Sequence, residues 1–231
     1  MEVKLNTSSS IIKFETNKAY SIISLNELKK DKFLKEIYAL NKDNAVYVDL
    51  NNYDNMFNSN IYLDITNNIS NIEIVKLKGF LELFKLDYSI MKKNFYELSN
   101  SEKKKIILLS AFLTDKQFII INNSTLGLDK KSKYELLRII KHEKRNNKVI
   151  ILFSHDSNFI YEATDNILEL EKETILNKNY FFSKTKELEK YDVELPDIEK
   201  FRTNVFHIKK VKLPRTTNIN DLIKDVYRNV Q

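Results

Sequence analysis

The sequence predicts an open α/β sheet with a crevice at the carboxyl ends of its strands, and two observations carry that reading. Residues 118–121 and 149–153 are short, wholly apolar runs, the pattern of strands buried on both faces. Each ends in polar residues, Asn122 and Asn123 after the first and Ser154, His155 and Asp156 after the second. A helical pattern lies between them, so strand, helix and strand alternate. Open sheets of this kind gather polar residues at the carboxyl ends of their strands, where they bind ligands.

Composition sets the outer bounds. A chain of 231 residues suffices for one α/β domain with a small appendage. Hydrophobic residues at 42% and charged residues at 30% are ordinary globular proportions. Cysteine is absent, which excludes disulfides and thiolate metal sites and suits a reducing cytosol. No apolar run approaches the roughly 20 residues that span a bilayer, so a role at a membrane requires a separate membrane subunit. The net charge of +6 is compatible with an acidic partner or an anionic surface, and the basic residues are spread along the chain. Glycine is the most telling count: two, against about 7% of residues on average. A phosphate-binding loop wraps backbone amides around its anion and needs several glycines to do so. Gly79 and Gly127 both lie elsewhere.

In chain order, two apolar stretches around 3–5 and 10–14 precede a buried strand at 19–23, in which Tyr20 reads as core. Ser24, with Glu27 three residues on, reads as a capping box opening a helix that reaches residue 37. Lys30 then reads as a solvated helix lysine within a basic run, beside Asp31. A short strand at 45–48 ends in Asp49, and residues 51–71 suit a loop and a short helix. From 72 to 96, the spacing of Val75, Leu77, Phe80, Leu81, Phe84 and Leu86 predicts one amphipathic helix. Leu98, Ser99, Asn100, Ser101 and Glu102 follow, with Ser99 and Glu102 spaced as an N-cap and capping box. After the strand at 118–121, Leu126, Gly127, Leu128 and Asp129 form a turn. A charged helix over 130–141 then turns Tyr134, Leu136, Leu137 and Ile140 inward. Residues 163–170 suit a last strand. The tail holds both prolines, and Phe181, Phe182, Leu188, Val193 and Leu195 suit a small helical extension with a closing helix at 219–228.

These motifs, in this order and spacing, resemble the ATPase subunit of an ABC transporter. The resemblance covers roughly residues 18–170 and is strongest from 97 onward. It implies a P-loop NTPase-like ABC ATPase core over 1–170, with a reduced antiparallel side sheet and a helical subdomain at about 60–97. Residues 171–231 would be a small C-terminal extension. Lys30 would take the place of the phosphate lysine, Asp31 that of the magnesium-binding hydroxyl and Asp49 that of the family's glutamine. Ser99, Asn100, Ser101 and Glu102 would be the signature that completes a partner's site, with Asn100 and Ser101 standing where the family has glycines. Leu126, Gly127, Leu128 and Asp129 would be the D-loop, and His155 the switch histidine. Asn122 and Asn123 stand where the family has Asp and Glu. An amide neither carries the charge that holds magnesium nor acts as a general base near neutral pH. Asp31, at the amino end of its helix, also places a carboxylate where phosphate should bind.

The resemblance therefore implies a catalytically inactive subunit with no catalytic residue, cofactor or metal of its own. Its implied partners are an active ABC ATPase and a multi-span membrane subunit, with ATP and magnesium at a composite site. The expected place is cytoplasmic, on the inner face of the cell membrane. The competing expectation is a regulatory or immunity binding module on the same scaffold that has lost ATP. A nucleic-acid-binding relative gains only from the positive charge, so no nucleic acid is expected. An ATPase co-purifying with the chain would discriminate the first two.

Overall fold

The computed structural model describes residues 2–7, 10–53, 57, 60–69, 72–216 and 219–229. A short hairpin, β1 (Glu2–Asn6) and β2 (Ile11–Glu15), stands apart from the main sheet. Its alternating burial turns Val3, Leu5, Ile12 and Phe14 onto the core. Phe14 meets Tyr20 edge-on at 4.8 Å, and the Tyr20 hydroxyl accepts the Glu15 N–H at 2.8 Å. Tyr20 is thus a core residue, as its sequence context predicts. This hairpin is the reduced antiparallel side sheet.

The main sheet has six strands in the order β4-β5-β6-β3-β7-β8. β3 (Lys18–Ile23), β4 (Ala45–Asp49), β5 (Phe118–Asn122), β6 (Val149–Leu152) and β7 (Asn166–Glu169) are parallel. β8 (Thr174–Asn177) closes one edge antiparallel to β7. β5 and β6 are buried along their whole length, which is why they read as continuous apolar runs. The sheet thus runs on past residue 170, and the segment after it begins with a strand of the core.

Helix α1 (Glu27–Leu40) follows β3 and packs Leu34 and Ile37 under the sheet. The single helix expected over 72–96 is not formed. After α2 (Ile61–Asn68), the short helix expected within 51–71, α3 (Ile74–Leu83) stops at Phe84, and two short 3-10 turns follow at Tyr88–Lys92 and Phe95–Glu97. Lys85 adopts a left-handed conformation (φ 52), and the Lys85 and Leu86 N–H groups close on the Glu82 and Leu81 carbonyls. Val75, expected on the buried face, is outside at 83% exposure. The repeat that pays off in packing is Leu77, Phe80, Leu81 and Phe84.

Helices α4 (Asn100–Leu113) and α5 (Lys130–Lys144) lock this helical part to the sheet. Lys105 lies on α4 and donates to the Glu135 carboxylate at 2.7 Å and to the Phe84 carbonyl at 3.1 Å, all within the protein. Turning Glu135 inward leaves its neighbour Tyr134 outside, contrary to the sequence expectation; Leu136, Leu137 and Ile140 are buried as expected. After α6 (Ser157–Ala163) and the sheet edge come α7 (Lys178–Phe181), α8 (Thr185–Lys190), α9 (Asp197–Lys209) and α10 (Ile219–Asn229). Phe181, Phe182, Leu188 and Tyr191 pack with Ile23, Ile160 and Ile167. The Tyr191 hydroxyl donates to Glu169, and the Tyr161 hydroxyl to Glu199 at 2.5 Å. These bonds tie the C-terminal helices to the sheet.

Removing one partner of a buried ion pair leaves the other charge desolvated. Glu135→Ala should therefore lower unfolding free energy by about 3–5 kcal/mol in urea titrations, whereas pairing Glu135→Leu with Lys105→Met should recover most of it.

Candidate functional site

The parallel register sets the carboxyl ends of β4, β5, β6 and β3 along one rim, and it pairs Asp49 directly with Asn122. There the Asn122 Nδ2 donates to Asp49 Oδ2 at 2.9 Å and to Asp31 Oδ1 at 3.0 Å. Asn123, in the left-handed region at φ 54 that Asn tolerates, donates its Nδ2 to Asp49 Oδ1 at 2.9 Å. The two amide NH2 groups thus donate to both carboxylates. Burial, with Asp49 alongside, raises the Tyr47 phenol well above its ordinary value. The Asn122 Oδ1 is buried with no hydrogen-bond partner. Because Nδ2 is the branch that meets the carboxylates, Oδ1 does not share their pocket.

The turn from β3 to α1 is three residues long, Ser24, Leu25 and Asn26. Its N-cap is Asn26, not the expected Ser24: the Asn26 side chain accepts the Lys29 N–H at 3.1 Å. Ser24 is engaged elsewhere, donating its hydroxyl to Glu171 at 2.8 Å. Glu171 also takes the Leu25 N–H at 2.9 Å, and the Asn26 N–H goes to the Ser24 hydroxyl at 3.2 Å. Burial pushes the Glu171 carboxyl up, but these donors outweigh it and leave the group below its ordinary value. The Leu25, Asn26 and Lys29 amides thus all have acceptors within the protein.

Lys30 is not solvated, as expected from its basic run, but 1% exposed. Its Nζ lies 3.5 Å from the Phe153 ring centroid, 3.2 Å from Glu27 Oε2 and 3.1 Å from Asp31 Oδ1. The other Glu27 oxygen is 3.0 Å from the Nε2 of His155, whose exposed ring meets Phe153 edge-on at 5.0 Å. The structure therefore joins His155, Glu27, Lys30, Asp31, Asn122, Asp49 and Asn123 in one run of contacts. Phosphate does not fit this arrangement: the cation is already matched by two carboxylates and a ring face, and the loop offers no cradle. Magnesium fits no better, because Asp31 and Asp49 face amide N–H groups. Among the described residues, no group of three metal-ligating side chains forms a metal site.

Of the remaining sequence-predicted residues, Leu126 touches this rim, its N–H donating to the Asn123 carbonyl at 2.9 Å. Ser99 caps α4 in a full capping box: it accepts the Glu102 N–H at 3.3 Å, and Glu102 accepts the Ser99 N–H at 2.9 Å and hydroxyl at 2.7 Å. Ser99 and Asn100 are exposed, and Ser101 and Glu102 are half-buried. Asp129 caps α5 through the Ser132 N–H at 2.7 Å. Gly127 takes φ 69, and a Cβ there would lie 2.3 Å from the Lys104 Nζ, which donates to the Leu126 carbonyl. Its glycine thus has a backbone reason. Leu126 is 45% exposed and Leu128 is buried. Sequence reasoning missed Glu171 and Phe153; both reach the loop only through the fold, and no local signal marks them.

No family model matches the chain. By sequence it is 31% identical over 161 residues to the energy-coupling factor transporter ATP-binding protein EcfA2 of Staphylococcus epidermidis, covering 67% of this chain and 56% of that protein. It is 33% identical over 122 residues to a putative ABC transporter ATP-binding protein, the MG303 homolog of Mycoplasma pneumoniae, covering 52% of this chain and 34% of that one. The chain is homologous to ABC-transporter ATP-binding proteins. It spans about half the length of these curated relatives. Among solved structures, cbiO1 of Clostridium perfringens, part of the ABC transporter complex cbiONQ, superposes with a TM-score of 0.61 at 16% identity, over 91% of this chain and 97% of that one. An ATP-binding subunit of an ABC transporter gives 0.60 at 15% identity, over 80% of this chain and 91% of that one. The fold is that of the ABC ATPase core: an α/β sheet, a helical subdomain and a side sheet.

Because Glu27 is 57% exposed, and the half-buried Asp31 keeps the Asn122 N–H, removing the Lys30 charge strands no buried ion. Lys30→Met, which keeps an apolar stem over Phe153, should change stability by no more than about 1 kcal/mol in urea titrations.

Proposed function

We propose that this chain is a catalytically inactive ABC ATPase-like subunit that pairs with an active ATPase in a membrane transport complex. The observation that carries this is the state of Lys30, buried against Phe153 and neutralised by Glu27 and Asp31. A lysine so placed is not presented to a phosphate. Asn122 and Asn123 supply neither a metal-holding charge nor a general base. With these positions silent, the chain's own rim is structural, and ATP and magnesium belong to the partner's site.

What remains outward suits a supporting role. Ser99 is exposed as the N-cap of α4, and Leu126 is exposed on the loop that leads to α5. In the head-to-tail pairing that the family resemblance implies, these surfaces would face the partner's phosphate loop. The transport setting comes from the homology to transporter ATP-binding proteins. No helix among the described residues is long and apolar enough to cross a membrane. In this reading a multi-span membrane subunit supplies the span, and this chain sits on its cytoplasmic side.

The purified chain should show no magnesium-dependent ATP hydrolysis above background; a steady turnover abolished by Lys30→Ala would reject the inactive reading. ATP titrated calorimetrically should bind no tighter than about millimolar, since Lys30 is neutralised by Glu27 and Asp31 and the Leu25 and Asn26 amides are already engaged.

Affinity capture from the native cell should recover an intact ABC ATPase together with a multi-span membrane protein. Ser99→Arg should then depress the partner's hydrolysis while leaving this chain folded, because an exposed capping serine contributes only about 1 kcal/mol. Capture without an ATPase, or partner activity indifferent to Ser99→Arg, would favour a regulatory binding module instead.

A further inference from the structure

Basic residues are spread along the chain, but the surplus of positive charge is not. Residues 200–216 hold Lys200, Arg202, Lys209, Lys210, Lys212 and Arg215 and no Asp or Glu. The rest of the chain balances at 32 residues of each sign, so this one segment carries the whole net charge of +6.

The fold divides the segment into an anchored part and a free one. Near the start of α9, Arg202 donates to both oxygens of the buried Glu199 and to the Leu213 carbonyl at 2.9 Å. Leu213 is itself buried, so the chain returns to the body after the helix. Between these pins the end of α9 projects outward. Phe206 is 48% exposed and Ile208 76% exposed, with Val205 half-buried between them. At about 100° per residue, Val205, Phe206, Ile208 and Lys209 share one broad arc of the last turns. Lys210 ends the helix in a left-handed conformation at φ 58. Lys209, Lys210 and Lys212 are exposed and make no ion pair among the described residues. No acidic residue occurs in sequence between Glu199 and Asp221.

An exposed aromatic and an exposed aliphatic side chain ringed by unpaired ammonium groups is the chemistry of a membrane–water interface. The apolar groups enter the headgroup boundary while the cations meet anionic lipid. A nucleic acid would reward the lysines but not Ile208. We infer that residues 205–212 are a lipid-contacting surface that docks the chain directly on an anionic bilayer. This goes beyond the subunit reading and does not rest on it, because no protein partner is needed.

The test uses the full chain and lipid alone. Co-sedimentation should occur with vesicles of phosphatidylcholine containing one part in three phosphatidylglycerol, be absent with pure phosphatidylcholine, and fall with added salt. Charge reversal at Lys209→Glu, Lys210→Glu and Lys212→Glu should weaken binding roughly tenfold or more. Phe206→Ser with Ile208→Ser, at unchanged charge, should weaken it as well. These side chains are exposed, and far-UV circular dichroism will confirm that both variants fold. No sedimentation with anionic vesicles at low salt would overturn the inference. So would full binding by the apolar variant accompanied by equal binding to random-sequence duplex DNA, which would mark a general polyanion surface.

Discussion

Lys30 sits at the junction of everything that this fold places at its strand ends. A buried ammonium group must be paired, and this one is paired three ways, by Glu27, by Asp31 and by the face of Phe153. Glu27 and Asp31 come from the start of α1, and Phe153 from just past the end of β6. Through Asp31 the constraint passes to Asn122 on β5, and from there to Asp49 on β4. Through Glu27 it passes to His155. A rim that could hold a ligand only by leaving donors and acceptors open has instead been closed on itself.

The substitutions along that rim make sense together rather than singly. Asp49 or Asp31 alone would leave a half-buried carboxylate in want of donors. Asn122 and Asn123 supply those donors, and the carboxylates in turn hold both amides. An acid at position 122 would set a third carboxylate against Asp31 and Asp49, and like charges at such distances do not all remain ionised. The same complementarity operates in the turn before α1, where Glu171 occupies the place of an external anion and takes the Leu25 N–H and the Ser24 hydroxyl. The protein's own carboxylates thus accept hydrogen bonds both along the rim and in this turn.

Much of the fold was legible because burial on two faces leaves a plain mark. The runs 118–121 and 149–153 read as interior strands, and the capping box of Ser99 and Glu102 formed as read, whereas Ser24, at the same spacing from Glu27, is drawn away by Glu171. Legibility failed where a local pattern competed with tertiary contacts. The apolar spacing from Val75 to Leu86 reads as one helix, yet Lys85 turns the chain, and the Phe84 carbonyl is used by Lys105. Tyr134 looked like a core residue until Glu135 was needed inward to meet Lys105. Lys30, in a basic run, carries no sequence mark of its burial.

By itself the sequence determined the strand order along the chain, the alternation that makes an α/β sheet, the shortage of glycine and the amides at 122 and 123. These are properties of single residues and of short periodicities, and they survive without knowledge of what lies opposite. Only the tertiary structure decided what those residues do. Glu171 meets Leu25 across 146 positions, Asp31 meets Asn122 across 91, and Phe153 lies under Lys30 because β6 pairs beside β3. Charge neutralisation at the rim is a matter of ångströms between strand ends, and strand order in the sheet, not order in the chain, sets those distances.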